Sequence, residues 1–152
     1  VIEILEPLSQ IPGVRYAGLV THDGVPIFVP GARAESAAAA QELDGLSALA
    51  SQWFTELSRQ AGELTWDAPV RAVMIALRGS LVLRQVKGGL LMALLDEDAA
   101  PEQLRLPMDG AAARLQRVLR SMGGQVEPLV EPPPVRSLKP NQHPAADQAK
   151  RA

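Results

Sequence analysis

The sequence contains no cysteine, so a disulfide scaffold and a Cys-ligated zinc module are both excluded. Aromatic residues make up only 3% of the 152 positions: Tyr16, Phe28, Trp53, Phe54 and Trp66. Neither charge predominates, with 15 Lys plus Arg against 17 Asp plus Glu and a net charge of −2. Without a positive excess for phosphates or an aromatic platform for bases, nucleic-acid binding is not expected. The longest fully apolar run, Leu90 to Leu95, is far short of the ~20 residues a spanning helix needs, so no membrane span is expected. No basic segment followed by an apolar stretch opens the chain, so no signal peptide is visible and a cytoplasmic location is expected.

Apolar residues are plentiful, at 47%, and they are mostly Ala, Leu and Val. That content argues for one folded domain over residues 1–123. Residues 124–152 read differently. Six of the 13 prolines lie in 125–152, including Pro132-Pro133-Pro134, and the stretch has no aromatic residue. It reads as a flexible or extended tail, with a docking peptide as the alternative.

Within the domain the hydrophobic spacing sets the elements. Val1, Ile4, Leu5, Leu8 and Ile11 recur at helical intervals, and Pro12-Gly13 stops that helix near Gln10. Pro7 makes it short or kinked. Two strands follow, Arg15–Thr21 and Val25–Val29, joined through Asp23-Gly24, a pair suited to a tight hairpin turn. Pro26 and Pro30 cannot donate to a ladder, which predicts a sheet edge for the second strand.

A long helix is predicted over about Glu35 to Ala61, with Leu43, Leu46, Ala50, Trp53 and Leu57 as its stripe and Gly62 as its stop. Leu49 and Phe54 widen the stripe. Three strands come next, Val70–Leu77, Ser80–Val86 and Leu90–Leu95, turning at Arg78-Gly79 and Lys87-Gly88-Gly89. A last helix is predicted from Pro107, taken as its first residue, to Met122. The order αββαβββα describes an α+β domain with helices on both faces of one antiparallel sheet.

The chemistry of a catalytic site is not found. The two histidines, His22 and His143, fall in a turn and in the tail, which argues against a histidine metal site. There is no P-loop, no dinucleotide fingerprint and no nucleophile elbow. Asp96-Glu97-Asp98 reads as a solvated acidic loop, and Arg114, Arg117 and Arg120 as a solvated basic flank of the last helix. No catalytic residue, cofactor or metal is therefore expected. An apolar edge strand free of proline is different, because it must be covered or paired. Val70 to Leu77 has that composition, and pairing with the same strand of a second copy would satisfy it isologously.

These features together resemble the Roadblock domain family, the dynein light-chain roadblock proteins and their bacterial GTPase-regulator relatives. The resemblance is carried by Ile11-Pro12-Gly13-Val14, by Ala17 through Gly24, and by the order of the long helix, the three-strand run and the closing helix. It covers about residues 1–122. It implies a five-stranded antiparallel sheet of order 2-1-5-4-3, with the long helix on one face and the two terminal helices on the other. It further implies a homodimer through antiparallel third strands and long helices. The residues expected at that interface are Leu46, Ala50, Trp53, Phe54, Leu57, Arg71, Val73, Ile75 and Leu77, with Pro12, Gly13, Asp23, Gly24 and Gly79 as turn residues. The function implied is a non-catalytic regulator that binds a small Ras-like GTPase and acts through the partner's active site. A scaffold without GTPase contact and a small-molecule sensing module are the alternatives.

Overall fold

A computed structural model describes residues 1–28 and 36–123. Val29, Pro30 and Glu35, and the proline-rich tail 124–152, lie outside the described residues. The elements run α1 (Ile2–Ser9), β1 (Val14–Val20), β2 (Pro26–Phe28), α2 (Ala37–Glu63), β3 (Arg71–Ala76), β4 (Gly79–Val86), β5 (Gly89–Asp96) and α3 (Arg105–Gly123). The five strands form one antiparallel sheet of order β2-β1-β5-β4-β3, the α+β arrangement expected.

Alternation along the strands divides the core into two layers. Ala17, Leu19, Val82, Leu91, Ala93 and Leu95 meet Leu5 and Leu8 of α1 and Met108, Ala111, Ala112 and Leu115 of α3. Tyr16, Val20, Ala72, Leu81, Leu83, Leu90 and Met92 meet Leu43, Ala50 and Phe54 of α2. β5 is buried along both faces apart from the half-buried Leu94 and the exposed Asp96 at its end, as its unbroken apolar run requires.

Several local expectations are corrected. Gly24 has a positive φ of 86° and Asp23 does not, so only the glycine of the Asp-Gly pair takes the left-handed conformation. The Gly24 N–H donates to the Thr21 carbonyl at 3.1 Å, and the Thr21 N–H to the Val25 carbonyl at 2.9 Å. That is a three-residue loop with a glycine in its left-handed position; a separate register shift falls between Leu19 and Val20. A Cβ on Gly24 would stand 2.8 Å from the Ala48 Cα, so the hairpin tip also serves as the seat of α2.

The long helix begins with a Ser36 cap, whose Oγ accepts from the Ala39 N–H at 3.1 Å. Gly62 does not stop it. The helix runs to Glu63 and closes with the Trp66 N–H on the Ala61 carbonyl at 2.8 Å and the Thr65 N–H on the Gly62 carbonyl at 3.1 Å. The left-handed position of this end is filled by Thr65, at φ 59°, where glycine is usual.

A 3-10 turn, Pro101–Leu104, precedes α3. Pro107 consequently lies two residues into the helix, still within its first turn, where the missing N–H costs nothing. Pro7 is accommodated inside the eight-residue α1, which stays short, as expected.

Candidate functional site

β3 is the one long edge of the sheet. Its register with β4 pairs Arg71 with Arg84, Ala72 with Leu83, Val73 with Val82, Met74 with Leu81 and Ile75 with Ser80. Directly opposed residues share a face, so Arg71, Val73 and Ile75 point to the α1/α3 side and Ala72, Met74 and Ala76 to the α2 side. The Val70 carbonyl accepts from the Gln85 N–H at 2.9 Å and so faces β4. Backbone groups alternate along a strand, so those of Arg71, Val73 and Ile75 face outward, away from the sheet. Beside these outward groups, Val73, Met74 and Ile75 are exposed, Ile75 to 74%, and Leu77 in the following turn to 93%.

The other edge is β2. It is three residues long and starts with Pro26, whose nitrogen cannot donate. β3 has no proline and no Asp or Glu.

The residues expected at a dimer interface separate into three groups. Val73, Ile75 and Leu77 are exposed at the β3 edge, and Arg71 is half-buried beside them. Leu46, Trp53 and Leu57 are half-buried on one flank of α2, with the exposed Leu49 further round the same flank. Ala50 and Phe54, at 0% and 3% exposure, are filled in by the protomer's own sheet and present no surface. The α2 residues and the four residues 71, 73, 75 and 77 therefore lie on opposite sides of the sheet. On the α2 side, β3 presents Met74 and Ala76, which the sequence reading did not include.

The turn residues sit at the joints of the fold. The Pro12 carbonyl accepts from Gln103 Nε2 at 3.2 Å, and the Gly13 carbonyl from the Asp96 N–H at 2.8 Å. Asp23 is exposed in the hairpin loop. Gly79 opens β4 where a Cβ would stand 2.4 Å from the Leu95 carbonyl oxygen.

Two buried serines of α2 were not anticipated by the hydrophobic stripe. Ser47 and Ser51 lie in the buried face with Leu43, Ala50 and Phe54. Ser51 Oγ donates to the His22 carbonyl, while Ser47 Oγ has no partner among the described residues. Their small size lets the helix settle on the Gly24 hairpin and turns the leucine-rich stripe toward its flank. The signal was present in the sequence as small residues at positions 47 and 51, four apart, on the helix face that includes 43, 50 and 54.

Polar groups elsewhere form surface pairs. Arg15 lies 3.4 Å from Glu42 and 3.6 Å from Asp96, and its guanidinium is exposed. Arg15, Arg78, Asp96, Glu97 and Asp98 line an open hollow of about 540 Å³. On α2, Arg59 bonds both Glu56 and Glu63. The hydrogen bonds from Arg59 and then Gln60 hold the Glu56 carboxyl at about 2, well below its ordinary value of 4.5. Among the described residues there is no group of three or more His, Cys, Asp or Glu placed to hold a metal ion. None of their helices is long and apolar enough to cross a membrane.

No family model matches the sequence, and neither does any curated protein. Solved structures do match the fold. MglB of Myxococcus xanthus superposes with a TM-score of 0.67 at 16% identity, covering 79% of this chain and 94% of that one. An MglB described as having a tetrameric arrangement superposes with a TM-score of 0.67 at 24% identity, covering 79% and 88%. A Roadblock/LC7 domain from Streptomyces avermitilis does so with a TM-score of 0.64 at 22% identity, covering 79% and 98%. Strand order, helix placement and these superpositions agree, and the chain has the Roadblock/LC7 fold that its sequence resembles.

Proposed function

We propose that this protein is a non-catalytic regulator that dimerises through β3 and binds a small Ras-like GTPase. The observation that carries the reading is the bare β3 edge. It is apolar, free of proline and of acidic residues, and its outward N–H and C=O groups have no backbone partner among the described residues. Such an edge is a template for a second strand. An identical strand running antiparallel would extend the sheet across a two-fold axis. In that assembly the flank of α2 bearing Leu46, Leu49, Trp53 and Leu57, together with Met74 and Ala76, is the apolar surface available to back the strand pair. The sequence resemblance to the Roadblock family and its bacterial GTPase-regulator relatives supports a GTPase as the partner, and the likeness to MglB and Roadblock/LC7 structures agrees with the fold of that family. In this reading the protein contributes surface, and the side chains that act on GTP belong to the partner.

The test is GTP turnover by a Ras-like GTPase from the same cell, with and without this protein, alongside capture of that GTPase in its GDP and GTP states. Faster turnover is the expected result. Capture without a change in turnover would point to a scaffold instead. Failure to capture the GTPase in either nucleotide state would remove the GTPase from the proposal.

A further inference from the structure

The α1/α3 side of β3 carries a charge imbalance that the dimer reading leaves unused. Arg71 and Arg84 are directly opposite each other in the β3–β4 register, both on this side of the sheet and both partly buried. Like charges in that position repel. Among the described residues one carboxylate, Asp109, pairs with Arg84 and none pairs with Arg71. Arg84 Nε is 2.9 Å from Asp109 Oδ1, within ion-pair distance although its N–H does not point squarely at the oxygen. Arg84 Nη1 donates to the Val70 carbonyl at 3.2 Å. Arg71 has only a 3.3 Å bond from Nη2 to the Pro101 carbonyl, and its Nε is buried with no acceptor among the described residues. A buried donor left unpaired is costly, more so when it is charged.

We propose that Arg71 and Arg84 form a receptor for a carboxylate carried by a partner protein, seated on the α1/α3 side of β3. The planar fork of arginine fits a carboxylate through two parallel N–H bonds, and Arg71 Nη1 and Arg84 Nη2 have no acceptor among the described residues. The surroundings select a protein over a free ion. Val73 and Ile75 are exposed on the same side of the strand, which suits an acidic residue flanked by aliphatic ones. A second copy does not supply the charge through β3, since residues 70–77 contain no Asp or Glu. The acids of α2, Glu42, Asp44, Glu56 and Glu63, lie on the helix that covers the other face. The inference deepens the partner reading above by giving the chemistry of one contact. Its test needs no GTPase, so either can fail while the other stands.

The experiment uses the full chain and a blocked five-residue peptide with one glutamate between two valines. Its glutamine counterpart, sodium acetate and inorganic phosphate serve as comparisons. Binding is followed by NMR on the arginine Nε–H signals and the amides of residues 71–75 and 82–84. The glutamate peptide is expected to bind at least tenfold more tightly than the glutamine peptide or acetate. Arg71→Met should remove that preference with an unchanged or higher unfolding midpoint, because it relieves an unpaired charge. Arg84→Met should lower the midpoint, because it breaks the Asp109 pair. Arg71→Lys keeps the charge without the fork and should retain only part of the preference.

Equal binding of the two peptides, or no binding at millimolar concentration, would overturn the proposal. A midpoint lowered as much by Arg71→Met as by Arg84→Met would mean that Arg71 is a structural residue. Acetate or phosphate binding as tightly as the peptide would mean a small-anion site only. Shifts along β3 that ignore the Arg71 substitution would mean strand pairing alone.

Discussion

The two edges of the sheet are built to opposite specifications. β2 is short, opens with a proline and follows a loop whose glycine is pressed against α2. β3 is twice as long, has no proline or acidic residue, and exposes aliphatic side chains on both of its faces. A single sheet in water has to protect both edges. Here one is blunted by its own residues, and the other has the composition of a strand that expects a neighbour. Near the β2 hairpin Ser51 bonds the His22 carbonyl and Ser47 Oγ has no partner, while at β3 the Arg71 Nε has no acceptor, both among the described residues.

The largest expected effect tests the edge itself. Ile75→Pro removes an outward N–H and leaves the β3–β4 ladder whole, so it should convert a dimer to a monomer by light scattering with little loss of stability. Met74→Pro, one residue away, removes an inward N–H and with it a ladder hydrogen bond to β4, so it should detach the strand and lower the unfolding midpoint clearly more than Ile75→Pro. If Ile75→Pro leaves the assembly unchanged, β3 is not the pairing edge.

Next come the two turns that set the edges. Gly79→Ala and Gly24→Ala each drive a Cβ into backbone, near the Leu95 carbonyl and the Ala48 Cα respectively. Each should cost roughly 2–3 kcal/mol in urea unfolding. Gly79→Ala should also weaken dimerisation, because it disturbs the hairpin that presents β3, whereas Gly24→Ala should not.

A smaller effect is expected at the approach to β3. Thr65 is β-branched and held at φ 59°, a conformation that costs about 1–2 kcal/mol for such a residue. Thr65→Gly should therefore raise stability by about 1 kcal/mol once the extra freedom of the unfolded chain is discounted. A loss of stability would show that the threonine side chain makes a compensating contact.

The smallest effect is acidic. The folded-state pKa of Glu56 is depressed from 4.5 to about 2, so its contribution is present above 4.5 and is lost as pH falls toward 2. The group is fully exposed, so screening by water and salt keeps that contribution slight. Glu56→Gln should flatten the stability profile only inside that window, measured by denaturant midpoints at successive pH values.

Much of the fold was legible because local spacing carries it. The order of elements, the β5 run buried on both faces and the proline-marked edge all follow from residue patterns of period two or 3.6. The strand order was implied by the resemblance to Roadblock domains, since spacing does not say which strands become neighbours. The candidate site was legible in part. Composition marked Val70 to Leu77 as apolar and free of proline, and the resemblance placed it at an edge; Ala50 and Phe54 are core within the protomer, and Met74 and Ala76, exposed on the α2 side, were not among the residues expected. Periodicity identifies a face of α2 only to within a residue or two of rotation, and the Gly24 hairpin selected the face containing Ser47 and Ser51.

The set of elements, their apolar faces and the unequal chemistry of residues 26–28 and 71–76 could be read from the chain alone, because each of these depends on neighbours along it. Three-dimensional packing settled which side of the sheet each edge residue faces, how α2 is turned, and that Arg71 stands opposite Arg84, with Asp109 paired to Arg84 alone. Those depend on register and on helix seating, where groups far apart in sequence meet. The spacing of one strand holds no information about the partner that strand will be given.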